Sequence, residues 1–170
     1  MNIAIDQDLV CACPQDLCRA RFIDRMGDHL EAEGMPRIAG RLFGLMILEP
    51  GVVSFSDLAA RLCVSRASIS TNARLLESKG LIVKVQVEGE RQDFFRLADR
   101  PYVNMIRGVA HRMEETQASI ITAEADLSPK ATAERQRLEQ ARAFFETAVA
   151  SLNDLAAKLC QLDEEGRGKQ

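Results

Sequence analysis

The chain has 170 residues, 46% of them hydrophobic and 28% charged, which excludes a disordered polypeptide. No apolar run reaches the roughly 18 residues of a membrane span, and Met1 to Cys13 lacks the basic start of a secretory signal, so a cytoplasmic protein with reduced thiols is expected. The net charge of −3 hides a swing, from −4 over residues 1–60 to +4 over 61–107 and −3 over 108–170, which suits a DNA reader held between dimerisation helices.

Leu17, Phe22, Ile23, Met26 and Leu30 recur at three- and four-residue steps and predict a helix from Pro14 or Gln15 to Glu33, ended by Gly34. Pro36 is expected in the first turn of the next helix, which runs to Leu48 and is apolar on more than one side. Gly40 and Gly44, one turn apart, allow a second backbone to approach. Glu49-Pro50-Gly51 is a turn and Val52 to Phe55 a short β-prone run. Ser56 is placed as the cap of a helix from Asp57 to Leu62.

The turn Cys63-Val64-Ser65 leads into a helix from Arg66 to Lys79, capped by Ser65 and closed by Gly80. Two such helices across so short a turn form a helix-turn-helix. Leu81, Val83, Val85 and Val87 then alternate with polar residues as a strand. Glu88 to Gln92 reads as a hairpin tip and Asp93 to Leu97 as the returning strand. The pattern predicts a mainly α winged helix-turn-helix with a two-stranded β-hairpin wing.

Beyond the wing, Pro101 opens a helix to about Leu127, and Ser128-Pro129 is expected to cap the next. Leu138, Ala141, Phe145, Ala148, Leu152, Leu155, Leu159 and Leu162 form a heptad seam, to be covered by the preceding helix or a second subunit. The polar tail from Asp163 is expected to fray.

In the helix from Arg66, the inward positions are Ile69, Ala73 and Leu76, with Val64 at the turn. The outward set is Arg66, Ser68, Ser70, Thr71, Asn72 and Arg74, free of acids until Glu77. Short donors and guanidinium groups on an acid-poor surface fit a DNA duplex, whose major groove admits a helix. Ser65, Arg66, Ser68, Ser70, Thr71, Asn72 and Arg74 are therefore the candidate DNA contacts. Arg91 at the wing tip suits a minor groove, or an ion pair with Glu88, Glu90 or Asp93.

Cys11, Cys13 and Cys18 form a separate cluster. Three thiolates suit a soft metal or a redox switch, although the spacing matches no standard zinc signature. His29 lies roughly 16 Å beyond Cys18 along a helix, too far for an easy fourth ligand. The alternative function is thus a thiol-based metal or redox sensor. Cys63 and Cys160 read as small apolar fillers. No nucleophile elbow, Gly-rich phosphate loop or metal-binding helix motif is present, so no enzyme is expected.

The segments Gly34 to Leu45, Leu58 to Glu77 with Gly80-Leu81-Ile82, and Gly89 to Phe95 together resemble the GbsR-type branch of the MarR family of bacterial winged-helix transcription regulators. The resemblance implies a homodimer that binds double-stranded DNA at a pseudo-palindromic operator. It does not carry the effector; a repressor whose affinity is tuned by a small-molecule or metal effector is the functional expectation. The resemblance also implies an N-terminal leader and dimerisation helix over 1–33, the winged helix-turn-helix over 34–100 and a helical dimerisation region over 101–170. Cys63 departs from the family's usual Gly in the turn. Some members of this branch sense choline, and an aromatic box would have to come from Phe43, Phe94, Phe95 and Tyr102, whose spacing fits core positions at least as well.

Overall fold

The computed structural model describes residues 14–167. Six helices and three short strands follow in the order α1 (Pro14–Ala32), α2 (Arg37–Leu48), β1 (Val53–Ser54), α3 (Phe55–Leu62), α4 (Arg66–Ser78), β2 (Ile82–Val85), β3 (Phe94–Leu97), α5 (Pro101–Asp126) and α6 (Thr132–Arg167). They fall into two compact units, one ending at Ala98 and the other beginning at Asp99.

In the first unit α1 lies against α2 at a distance only glycine allows. A Cβ on Gly40 would stand 2.5 Å from the Met26 carbonyl oxygen and 2.8 Å from the Gly27 Cα, and one on Gly44 would stand 2.8 Å from the Met26 Cβ. Ion pairs flank the crossing, Arg37 with Asp28 and Arg41 with Asp24, each at 2.9 Å. The core gathers Leu42, Phe43, Leu45 and Met46 of α2 with Leu58, Leu62, Ile69, Leu76 and Ile82, all nearly inaccessible. Pro36 is the N-cap of α2 rather than a first-turn residue, its extended ψ of 133° setting the chain's entry into the helix.

Three of these helices end in one way. Gly34, Cys63 and Gly80 each take a left-handed φ, of 83°, 53° and 65°. The residue after each donates its N–H back to a carbonyl of the last turn: Met35 to Leu30, Val64 to Ala59, and Leu81 to Leu76. The helix-turn-helix turn is therefore kept with cysteine in a glycine position, and Cys63 is exposed rather than a core filler.

The cap of α3 corrects the sequence reading. Ser54, not Ser56, is the N-cap, and its Oγ accepts from the Asp57 N–H at 3.1 Å, so α3 starts earlier. The wing is likewise more than a hairpin. The sheet has three antiparallel strands in the order β1-β3-β2, because Val53 and Ser54 pair with Phe95 and Phe94. Two residues too few to form a strand alone are held by the edge that β3 leaves open.

The second unit is the antiparallel pair α5 and α6, tied by Arg100–Glu164 at 3.0 Å and Arg142–Glu124 at 3.2 Å. Ser128 starts the connecting turn instead of capping α6, with Ala131 N–H bonded to its carbonyl, and α6 begins at Thr132. Arg135 donates to the Leu127 carbonyl at 2.6 Å and so satisfies the end of α5. The helix continues to Arg167, past the expected fray point.

The heptad seam does not stay in register. Leu138, Phe145, Ala148 and Leu152 lie on the partly covered side, but farther along Ala156 is buried, while Leu155 and Leu162 are exposed. A straight helix of 3.6 residues per turn drifts about 20° per heptad, which carries a 3.5-residue repeat off the contact face. Among the described residues no helix is long and apolar enough to cross a membrane.

Candidate nucleic-acid interface

The recognition surface is built on α4 by two local devices. At its start the Ser65 Oγ accepts from the Ser68 N–H at 3.2 Å, and the first turn holds no acid. On its inner side Ile69, Ala73 and Leu76 are buried, as their spacing requires, which fixes the helix's rotation about its axis. Arg66, Thr71 and Arg74 are thereby exposed, with Ser68 and Ser70 half-buried beside them. Among the described residues Arg74 carries no hydrogen bond or ion pair, and its guanidinium is available to a ligand.

Asn72 corrects the outward set. It lies three residues after Ile69 and four before Leu76, on the inward stripe, and only 6% of its surface is accessible. Its Nδ2 donates to the Ser68 carbonyl at 2.8 Å, which accounts for a polar group inside. Its Oδ1 is buried with no partner among the described residues. Thr71, though exposed, turns its Oγ1 to the Ala67 carbonyl at 3.1 Å.

Arg66 is held in place. Its guanidinium stands 4.7 Å from the centroid of the Phe55 ring, and its NH1 donates to Ser56 Oγ at 3.4 Å. Ser56 Oγ in turn donates to Gln92 Oε1 at 2.6 Å. Phe55 itself rests against Phe95, with ring centroids 6.4 Å apart. Sequence reasoning missed Phe55, Ser56 and Gln92, since no local pattern links residues so far apart in the chain. Arg91 at the wing tip is exposed and unpaired among the described residues, because Asp93 pairs instead with Lys84 at 2.8 Å.

Behind the recognition elements Glu49, at the end of α2, receives both Arg19 of α1 and Arg61 of α3. The Arg61 hydrogen bond, followed by the charges of both arginines, holds the Glu49 carboxyl below its ordinary range against the opposing effect of burial. Arg41 donates to the Leu62 carbonyl at 3.0 Å, fastening the end of α3.

Cys11 and Cys13 lie outside the described residues; Cys18 is a free, exposed thiol. Phe43 and Phe95 are buried in the core, and neither offers a ring face to a cationic ligand.

A capped helix with an acid-poor exposed face, one short turn from a second helix and followed by a sheet wing, defines a winged helix-turn-helix DNA-binding regulator. The MarR family model matches residues 33–93. The HTH-type transcriptional regulator MmpR5 of Mycobacterium tuberculosis (strain ATCC 25618 / H37Rv) is 32% identical over 133 residues, covering 76% of this chain and 81% of that protein. The chain belongs to the MarR family of HTH-type transcriptional regulators. It is also similar to the putative HTH-type transcriptional regulator YvaV of Bacillus subtilis (strain 168), 25% identical over 85 residues, which are 50% of this chain and 48% of that one. A crystal structure of a transcriptional regulator superposes with a TM-score of 0.75 at 28% identity, over 85% of this chain and 99% of the other.

Proposed function

We propose that this regulator is a cytoplasmic homodimeric repressor that reads a pseudo-palindromic operator, one α4 per half-site, with its affinity tuned by an effector. The observation that carries the reading is the exposed face of α4, where Arg66 and Arg74 stand beside hydroxyl groups with no carboxylate before Glu77. Such a surface donates to phosphates and to the acceptor atoms of base edges and brings no negative charge against the duplex. The resemblance of Gly34 to Leu45 supports the GbsR-type branch. Support for the dimer comes from α6, where Phe144 and Leu162 are 62% and 63% exposed, apolar area that a second copy would cover.

The experiment is duplex binding across a salt series, using a fragment of the protein's own promoter region. With Arg66→Ala and Arg74→Ala combined, affinity should fall about tenfold or more and the salt slope should flatten by about two phosphate contacts. Unchanged affinity and slope would remove α4 from the interface. Sedimentation of wild type beside Phe144→Glu tests the dimer; a wild-type monomer at working concentration contradicts it.

A further inference from the structure

The link between the wing and the helix-turn-helix has a direction. Gln92 Oε1 accepts from Ser56 Oγ at 2.6 Å and from the Ser56 backbone N–H at 3.4 Å. A backbone N–H can only donate, so the oxygen of the Gln92 amide faces α3 and its NH2 group faces away. The single hydroxyl proton of Ser56 is committed to Gln92. Its oxygen is left to accept, and it accepts from Arg66 NH1 at 3.4 Å. The chain runs from Arg66 through Ser56 to Gln92, each bond polarising the next.

The Gln92 oxygen accepts twice inside this chain and has no further capacity. What remains are donors: the two N–H groups of Gln92 and the other N–H groups of Arg66, none of them bonded elsewhere among the described residues. Arg66 is exposed and Gln92 partly so. The base of the wing is also anchored, since the Phe55 N–H bonds the Asp93 carbonyl at 2.8 Å. A donor-only pair on an anchored frame matches a ligand that only accepts. In a duplex the phosphodiester oxygens accept at every step whatever the sequence, whereas base edges offer acceptors at some positions and donors at others.

We propose that Gln92 and Arg66 together grip one phosphodiester of the DNA backbone, with Ser56 as the positioning residue that aims both. The proposal rests on the reading that α4 faces DNA. It gives the wing a backbone contact at its root, distinct from Arg91 at its tip.

Because a phosphate contact is independent of sequence, the full chain can be tested on a mixed-sequence duplex at low salt, by fluorescence anisotropy over a salt series. Gln92→Glu keeps the oxygen that Ser56 needs and replaces the outward donor with a charged acceptor; binding should weaken about tenfold or more. Arg66→Ala should flatten the salt slope by about one. Ser56→Ala should flatten it in the same direction, and the double variant should lose less than the sum of the two single losses. Thermal melts of each variant separate these effects from unfolding, and Gln92→Ala, expected to lose about threefold, serves if Gln92→Glu melts early. Wild-type affinity in Gln92→Glu, or losses in Ser56→Ala and Arg66→Ala that simply add, overturns the proposal while leaving α4 as the reading helix. A wild-type protein with no salt-dependent affinity for any duplex overturns both.

Discussion

The guanidinium of Arg66 lies 4.7 Å from the ring centroid of Phe55, so the first residue of the recognition helix rests on the first residue of the helix before it. A cation over an aromatic face at an exposed site is stabilised by about 0.5–1 kcal/mol. Phe55→Leu keeps an apolar contact for Phe95 but removes the quadrupole. Duplex affinity should fall about two- to fivefold with little change in melting temperature, measured by anisotropy and circular dichroism. An unaltered affinity would show that Arg66 needs no such support.

The crossing of α1 and α2 sets a second expectation. A Cβ at Gly40 meets backbone atoms, the Met26 carbonyl oxygen and the Gly27 Cα, and no rotamer change can relieve that. Gly40→Ala should destabilise the protein by about 1–3 kcal/mol. Gly108→Ala is the control: its nearest neighbour is the end of Arg112 at 3.7 Å, within α5, and it should stabilise by about 0.5–1 kcal/mol. Denaturant titration of both variants compares them directly.

Cys63 occupies a left-handed position that Gly34 and Gly80 fill without strain. For a side chain bearing a Cβ that conformation costs about 1–2 kcal/mol, partly offset in a Cys63→Gly variant by the greater freedom of its unfolded chain. Cys63→Gly should therefore raise the unfolding midpoint slightly and Cys63→Val should lower it, with α3 and α4 still in place. The opposite order in denaturant unfolding would contradict the turn geometry.

Glu49 predicts a pH dependence. Its carboxyl titrates below the ordinary glutamate range because Arg61 hydrogen-bonds it and both Arg61 and Arg19 favour the charged form. A depressed folded value means that the stabilisation is complete above the unfolded pKa, about 4.3, and is lost as pH falls through the folded one. Wild type should therefore lose melting temperature steeply below about pH 4, and Glu49→Gln, already less stable near neutrality by about 1–2 kcal/mol, should lose less over that interval. Parallel melting curves for the two proteins would exclude the carboxylate as the source.

Much of this architecture was legible in advance where the governing interaction is local. Ser65 as the α4 cap, Gly80 as its terminator and the inward trio Ile69, Ala73 and Leu76 depend on bonds and spacings within one or two turns. Asn72 falls on the inward side by the same arithmetic, against the surface preference of its polar side chain, because the i−4 carbonyl accepts from its Nδ2. The cap of α3 lies two residues before the position that local sequence favours, because Ser54 and Ser56 have the same capping chemistry and pairing of β1 with β3 decides between them.

Read alone, the chain determined its helices, its helix-turn-helix and the acid-poor face of α4, because periodicity, capping and charge act over distances of a few residues. Tertiary structure decided that β1 joins the wing, that Ala156 replaces Leu155 in the α6 contact stripe, and that Gln92 reaches Ser56. Each of these depends on which surfaces meet after the helices have packed. Short, half-exposed side chains can find partners thirty or more positions away only once an apolar core has brought their backbones together.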